Sequence, residues 1–163
     1  MTVQYDVKSY HASASGNAMT YAVRLKGVTV TSSTVSARNM AIADPAVSKS
    51  GTWSRTGTTV TVTINGNGLA NGQRVFLDVA AGTSMRDGVY AVSNVTTNTF
   101  TVTSATSGTA SGTVTMYTNI YVELDTFNTV GLPVTVPGEG ILASNGIYVG
   151  LPSADVTSTI FYG

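Results

Sequence analysis

Apolar and polar positions alternate along most of this chain. Val60, Val62 and Ile64 fall to one side with Thr59, Thr61 and Thr63 between them, and the same period of two runs through Val75, Leu77 and Val79, Phe100 and Val102, and Val134 and Val136. That period marks strands with one face buried. Between the runs lie pairs that tolerate a positive φ and so predict turns: Thr56-Gly57, Asn65-Gly66, Asn71-Gly72, Asp87-Gly88, Ser111-Gly112 and Asn145-Gly146. Short strands at this spacing predict an all-β sandwich or barrel. No stretch keeps a 3.6-residue apolar period, and Ser36 to Asp44 leaves room for one helical turn at most.

Texture divides the chain in three. From about Gly51 to Tyr117 it is Thr, Gly and Asn in short alternating runs, whereas the flanks carry the four prolines and most longer apolar segments. The flanks offer seven strands: Val3 to Tyr10, Met19 to Val30, Val35 to Ala43, Ile120 to Leu124, Val134 to Val136, Ile147 to Leu151 and Val156 to Tyr162. Neither flank closes a core alone, but together they suffice for two antiparallel sheets. The predicted architecture is an antiparallel β-sandwich platform from residues 1–48 and 119–163, with 50–118 inserted as a small β-barrel module of five or six strands.

Composition turns this fold towards an assembly. Of 163 residues only 10% are charged, eight basic against eight acidic, and 27 are threonine. About 25% charged residues is usual, so much of the surface is uncharged and suits burial against other protein. Uncharged edge strands point the same way, because monomers guard edges with Lys or Pro. Self-association is expected, as a homotrimer that covers edges around an axis. No basic cluster invites nucleic acid or an anionic membrane. With no cysteine there is neither a disulfide nor a thiolate metal site. The start lacks a secretory pattern and no window reaches 18 apolar residues, so synthesis in a cytoplasm is expected.

Catalytic chemistry is thinly supplied. His11 is the one histidine and has no nucleophile elbow nearby. Glu123 and Asp125 share a strand face, but paired glycosidase carboxylates face each other across a cleft. Asp44, Asp78, Asp87 and Asp155 are scattered beside turns, and no spaced acidic loop indicates calcium. Gly66-Asn67-Gly68-Leu69-Ala70-Asn71-Gly72 lacks the Lys-Ser/Thr pair and following helix of a phosphate loop. No catalytic residue, metal ligand or cofactor is predicted. Trp53, Tyr90, Tyr117, Tyr121, Tyr148 and Tyr162 are the aromatic candidates for a carbohydrate platform. Trp53, Tyr90 and Tyr117 are the predicted glycan or partner contacts, with Trp53 foremost because it precedes the Thr56-Gly57 turn.

The opening "YDVKSYHASASGNAMTYAVRLKGVTV" joined to the closing "VTVPGEGILASNGIYVGLPSADVTSTIFYG" resembles a class of small tailed-phage virion proteins. The resemblance is carried by Lys8, Arg24, Lys26 and Gly27, by Pro137, Gly138, Gly140 and Ile141, by Gly146, Tyr148 and Val149, and by Phe161, Tyr162 and Gly163. The middle, "GLANGQRVFLDVAAGTSMRDGVYAVSNVTTNTFTV", is similar to small β-barrel modules of phage structural proteins. This resemblance implies a non-enzymatic component of a head or tail. The expectation taken forward is a capsid decoration or cement protein on the virion surface, made in the host cytoplasm and bound to the major capsid protein. A tail, collar or head-fibre component, or a glycan- or receptor-binding module of the virion, is the alternative.

Overall fold

A computed structural model describes residues 6–33, 38–80, 85–126 and 131–163. The protein is all-β, with thirteen strands among these residues in three antiparallel sheets. The first sheet runs β1 (Lys8–Ala12), β13 (Val156–Tyr162), β3 (Val23–Ser32) and β10 (Leu132–Thr135), and β11 (Ile141–Ala143) also pairs with β3. The second runs β2 (Gly16–Met19), β12 (Ile147–Gly150), β4 (Asn39–Ala43) and β9 (Ile120–Asp125). Both sheets draw strands from both chain ends. The last strand, β13, lies between β1 and β3, so the two flanks fold only together.

The alternation read in the sequence sets which faces meet. Val28, Val30, Val156 and Ile160 from the first sheet and Met40, Ile42, Ile147 and Val149 from the second form one buried core. Each large aliphatic side chain contributes about 1.5–3 kcal/mol by leaving water. The platform has nine strands where seven were expected, because β2 and β11 are too short to show a period. Val3 and Val35, expected strand starts, lie outside the described residues. The one helical element near Ser36 to Asp44 is a 3-10 turn at Pro45–Val47, where the Asp44 carboxylate accepts from Ala46 N at 2.9 Å.

Residues 48–117 make the third sheet, in the order β5 (Ser48–Thr63), β8 (Thr99–Tyr117), β6 (Arg74–Val79), β7 (Gly88–Ala91). Two of the expected turns are absent. Thr56-Gly57 lies inside β5 and Ser111-Gly112 inside β8, so four strands, two of them long, stand where five or six were predicted. Gly57 instead takes φ +65° at a bulge, where its ladder with Gly108 gives way to that of Thr59 with Thr103. The ribbon bends there and coils back until Gly51 lies against Thr63; a Cβ on Gly51 would come within 2.1 Å of that carbonyl oxygen. Trp53, Val60, Val62, Val75, Leu77, Phe100, Val102 and Met116 fill the space thus enclosed.

The buried Arg55 ties the bend. Its Nη1 donates to Ser104 Oγ at 3.0 Å, Thr106 O at 3.0 Å and Thr106 Oγ1 at 3.1 Å, which fixes the looped-out 104–107 segment against β5. The module's entry and exit are adjacent, since Ser48 pairs with Tyr117 and Asp44 N donates to Asn119 O at 2.9 Å.

Module and platform meet through a second apolar cluster. Phe76 and Tyr117 of the module pack on Ala41, Ala43 and Tyr148, which stand on the outer face of the second sheet. The Tyr117 and Tyr148 rings stack at 3.8 Å with 15° between planes. Small residues on β4 and β12 make the seat: a Cβ on Gly150 would lie 2.5 Å from the Phe76 ring. At the rim Arg74 pairs with Glu123, whose Oε1 also accepts from Asn39 Nδ2 at 2.7 Å. The molecule is therefore three stacked layers, with the middle sheet covered on both faces.

Candidate functional site

The layer order leaves one broad sheet face open, the outer face of the first sheet. Register places Ser9, Phe161, Gly27 and Thr135 in one row across it, His11, Thr159, Thr29 and Pro133 in the next, and Thr157 with Thr31 in a third. These rows hold no Asp, Glu, Lys or Arg. Their one titratable side chain is His11, whose Nδ1 lies 3.2 Å from Thr159 Oγ1, in an exposed position. Threonine and serine hydroxyls, a glycine, a proline and an aromatic ring make up the remainder. Such a surface is desolvated at far lower cost than one of ionised groups.

The predicted glycan contacts do not form a platform. Trp53 is 2% exposed, on the inward face of β5 beside the bend, because the turn it was expected to precede is continuous strand. Its indole nitrogen is buried and meets no hydrogen-bond acceptor. Tyr117 is buried in the stack with Tyr148. Neither ring can stack on a sugar. Tyr90 is half-buried, its hydroxyl donating to Arg86 O at 2.6 Å, and burial pushes its phenol up to about 12.

The scattered carboxylates have local partners. Asp44, 5% exposed, ties the chain where it enters the module: Asn145 Nδ2 donates to it at 3.0 Å and Asn119 Nδ2 at 3.4 Å. Burial alone would raise its pKa, but hydrogen bonds from Asn145, Ala46 N, Tyr121 and Asn119 together hold it below the ordinary value. Asp78 accepts from the Tyr148 hydroxyl at 2.5 Å across the seam. Burial and then that bond push the Tyr148 phenol far up. Asp87 Oδ1 accepts from Val79 N at 2.7 Å, yet burial, with Asp78 nearby, raises its carboxyl to about 6. Glu123 and Asp125 do share a face, and Glu123 is committed to Arg74 and Asn39. Asp155 serves through its backbone, its carbonyl accepting from Ser33 N at 3.3 Å.

No family model matches the chain, and no curated protein or solved structure does either. Among the described residues, no group of three or more His, Asp or Glu side chains is placed to hold a metal ion, and no helix is long and apolar enough to cross a membrane.

Three functional groups escaped the sequence reading. Arg55 is the sole charged residue from Ser50 to Gln73 and shares the inward parity of Trp53, a signal that was there to be used. Arg38 and Arg86 gave none, because they are neighbours only in the fold. With Asp87, Tyr90, Ser104 and Thr106 they line a cleft of about 370 Å³ between β4, β7 and the β8 bulge.

Proposed function

We propose that this chain is a non-enzymatic component of a tailed-phage virion, a decoration protein that binds the lattice of the major capsid protein and stabilises the head. The observation that carries the reading is the set of uncharged rows across the outer face of the first sheet, with Arg24 and Lys26 at one end of that face, beside a docked module. Hydroxyls and short apolar groups suit a surface covered by other protein, and the face offers them on a sheet braced from behind by two further layers. Exposed Leu142, paired with Arg24 at the outward parity of β3, extends the contact area. A homotrimer is the assembly proposed, with copies packed around an axis.

The mechanism is mass action. A protein that binds the assembled shell better than free subunits shifts the equilibrium against disassembly, and many weak contacts sum when each copy touches several neighbours. The resemblance of both chain ends to phage virion proteins supplies the particle; the open face supplies the means of attachment.

Quantifying copies per particle, together with heating particles that lack the protein, tests the proposal. Hundreds of copies over the head, and heat tolerance lost while DNA is still packaged, are the expected results. A few copies at one vertex would move the assignment to the tail, collar or head fibre. Particles equally robust without the protein would refute the cement role.

A further inference from the structure

Segments remote in sequence converge on the cleft between module and platform. Arg38 and Asn39 come from the start of β4, Arg86 to Tyr90 from the approach to β7, and Thr103 to Thr106 from the bulge that Arg55 holds in place. Its volume of about 370 Å³ sits in the range of small-ligand sites, about 300–1,000 Å³. The walls are fixed from behind. Gly88 packs against β4, where a Cβ would lie 3.9 Å from Asn39 O, and the Tyr90 ring is held by its bond to Arg86 O.

The lining combines three chemistries beside one carboxylate, Asp87, whose Oδ1 accepts from Val79 N at 2.7 Å. Two guanidinium groups contribute positive charge: Arg38 spends Nη1 on Pro152 O at 3.2 Å, Arg86 is exposed, and no described carboxylate forms an ion pair with either. Threonine and serine hydroxyls with the Asn39 amide offer both donors and acceptors. Tyr90 adds one aromatic ring. A nucleobase would need apolar walls on both of its faces, and a bare phosphate would leave the ring and hydroxyls unused. A hydroxylated ring bearing a carboxylate uses all three, because guanidinium binds carboxylate in a forked geometry and an aromatic face suits the C–H side of a sugar.

We propose that this cleft binds an acidic saccharide of the uronic-acid type, its carboxylate held by Arg86 and Arg38 and its ring set against Tyr90. The proposal goes beyond the decoration reading and stands or falls apart from it. On a particle surface it would give each copy a weak grip on acidic polysaccharide, summed over many copies.

Titrating the isotope-labelled full chain with methyl β-D-glucuronide, and separately with methyl β-D-glucoside and acetate, tests it. Saturable amide shifts confined to residues 38–39, 86–90 and 103–106 are expected with the glucuronide. Loss of a charged hydrogen bond should make the glucoside, and the glucuronide on Arg86→Gln, about tenfold weaker. Arg38→Gln should weaken the glucuronide similarly, and the amide spectrum verifies that each variant is folded. Absence of saturable shifts, shifts elsewhere, equal affinity for acetate, or unchanged affinity in both folded variants would overturn it.

Discussion

Replacing Asp87 with Asn should stabilise the protein at neutral pH. The carboxyl titrates near 6 rather than at 3.8 because it is buried and lies close to Asp78, so the folded protein holds this proton more tightly than the unfolded chain does. Its contribution is therefore fully present below about pH 4, declines as the pH rises towards 6, and is gone above that. A shift of about two units is worth at most about 3 kcal/mol, and partial solvent access reduces this to about 1–2 kcal/mol. Asparagine has no charge to bury, and its amide oxygen can still accept from Val79 N. Some strength is lost when that acceptor becomes neutral, leaving a net gain of about 1 kcal/mol at pH 7, or about 2–4 °C in Tm. Urea unfolding of both proteins from pH 4 to 8 measures it. The difference between the curves should open between pH 4 and 6 and then stay constant. Parallel curves across that window, or a variant less stable at pH 7, would refute the electrostatic argument.

Other expectations concern the seam, the bend, the last strand and the open face. Gly150→Ala should cost about 1–3 kcal/mol by overpacking against Phe76, and Phe76→Leu in the same chain should recover part of the loss in thermal unfolding. Arg55→Met should destabilise by about 3 kcal/mol or more, because Ser104 and Thr106 lose their shared partner inside the bend; hydrogen exchange should accelerate first at 103–108. Removal of Ile160 to Gly163 takes the end of a strand paired on both sides, and circular dichroism should register a loss of several kcal/mol. Ser9→Glu with Thr31→Glu, both exposed and in different rows of the open face, should leave Tm nearly unchanged yet abolish binding to particles in a pelleting assay, since the charges would be buried unpaired at the contact.

Much of the fold was legible because period two survives wherever one face is buried. Val60, Val62 and Phe100 announced their strands, and the change of texture near Gly51 and Tyr117 falls within a few residues of the start of β5 and the end of β8. Glycine misled at two places: Gly57 spends its freedom on a bulge rather than a turn, and Gly112 is ordinary strand paired with Trp53. That misreading carried Trp53 to the surface, although its parity with Val60 across the bulge, and the neighbouring Arg55, belonged to the interior. The seam was illegible for another reason. Ala41, Ala43 and Gly150 look like ordinary small residues, and only the arrival of Phe76 from a distant segment gives their size a purpose. The cleft is the same case, with Arg38 and Arg86 separated by the whole of β5 and β6.

The pairing of Ser48 with Tyr117 also bears on the order in which the chain can fold. Without the module's own structure, β4 and β9 would have to find each other across everything between Ala43 and Ile120. Once β5 and β8 have paired, that span shrinks to a few residues on each side, about a tenfold shorter effective loop, which lowers the closure entropy by about 2 kcal/mol. During synthesis the module is complete before β9 to β13 have emerged, and domains tend to fold as units in that order. The insertion therefore acts as a splint: it is the first part able to close, and in closing it holds the stump of an unfinished platform beside the place where its missing half will appear.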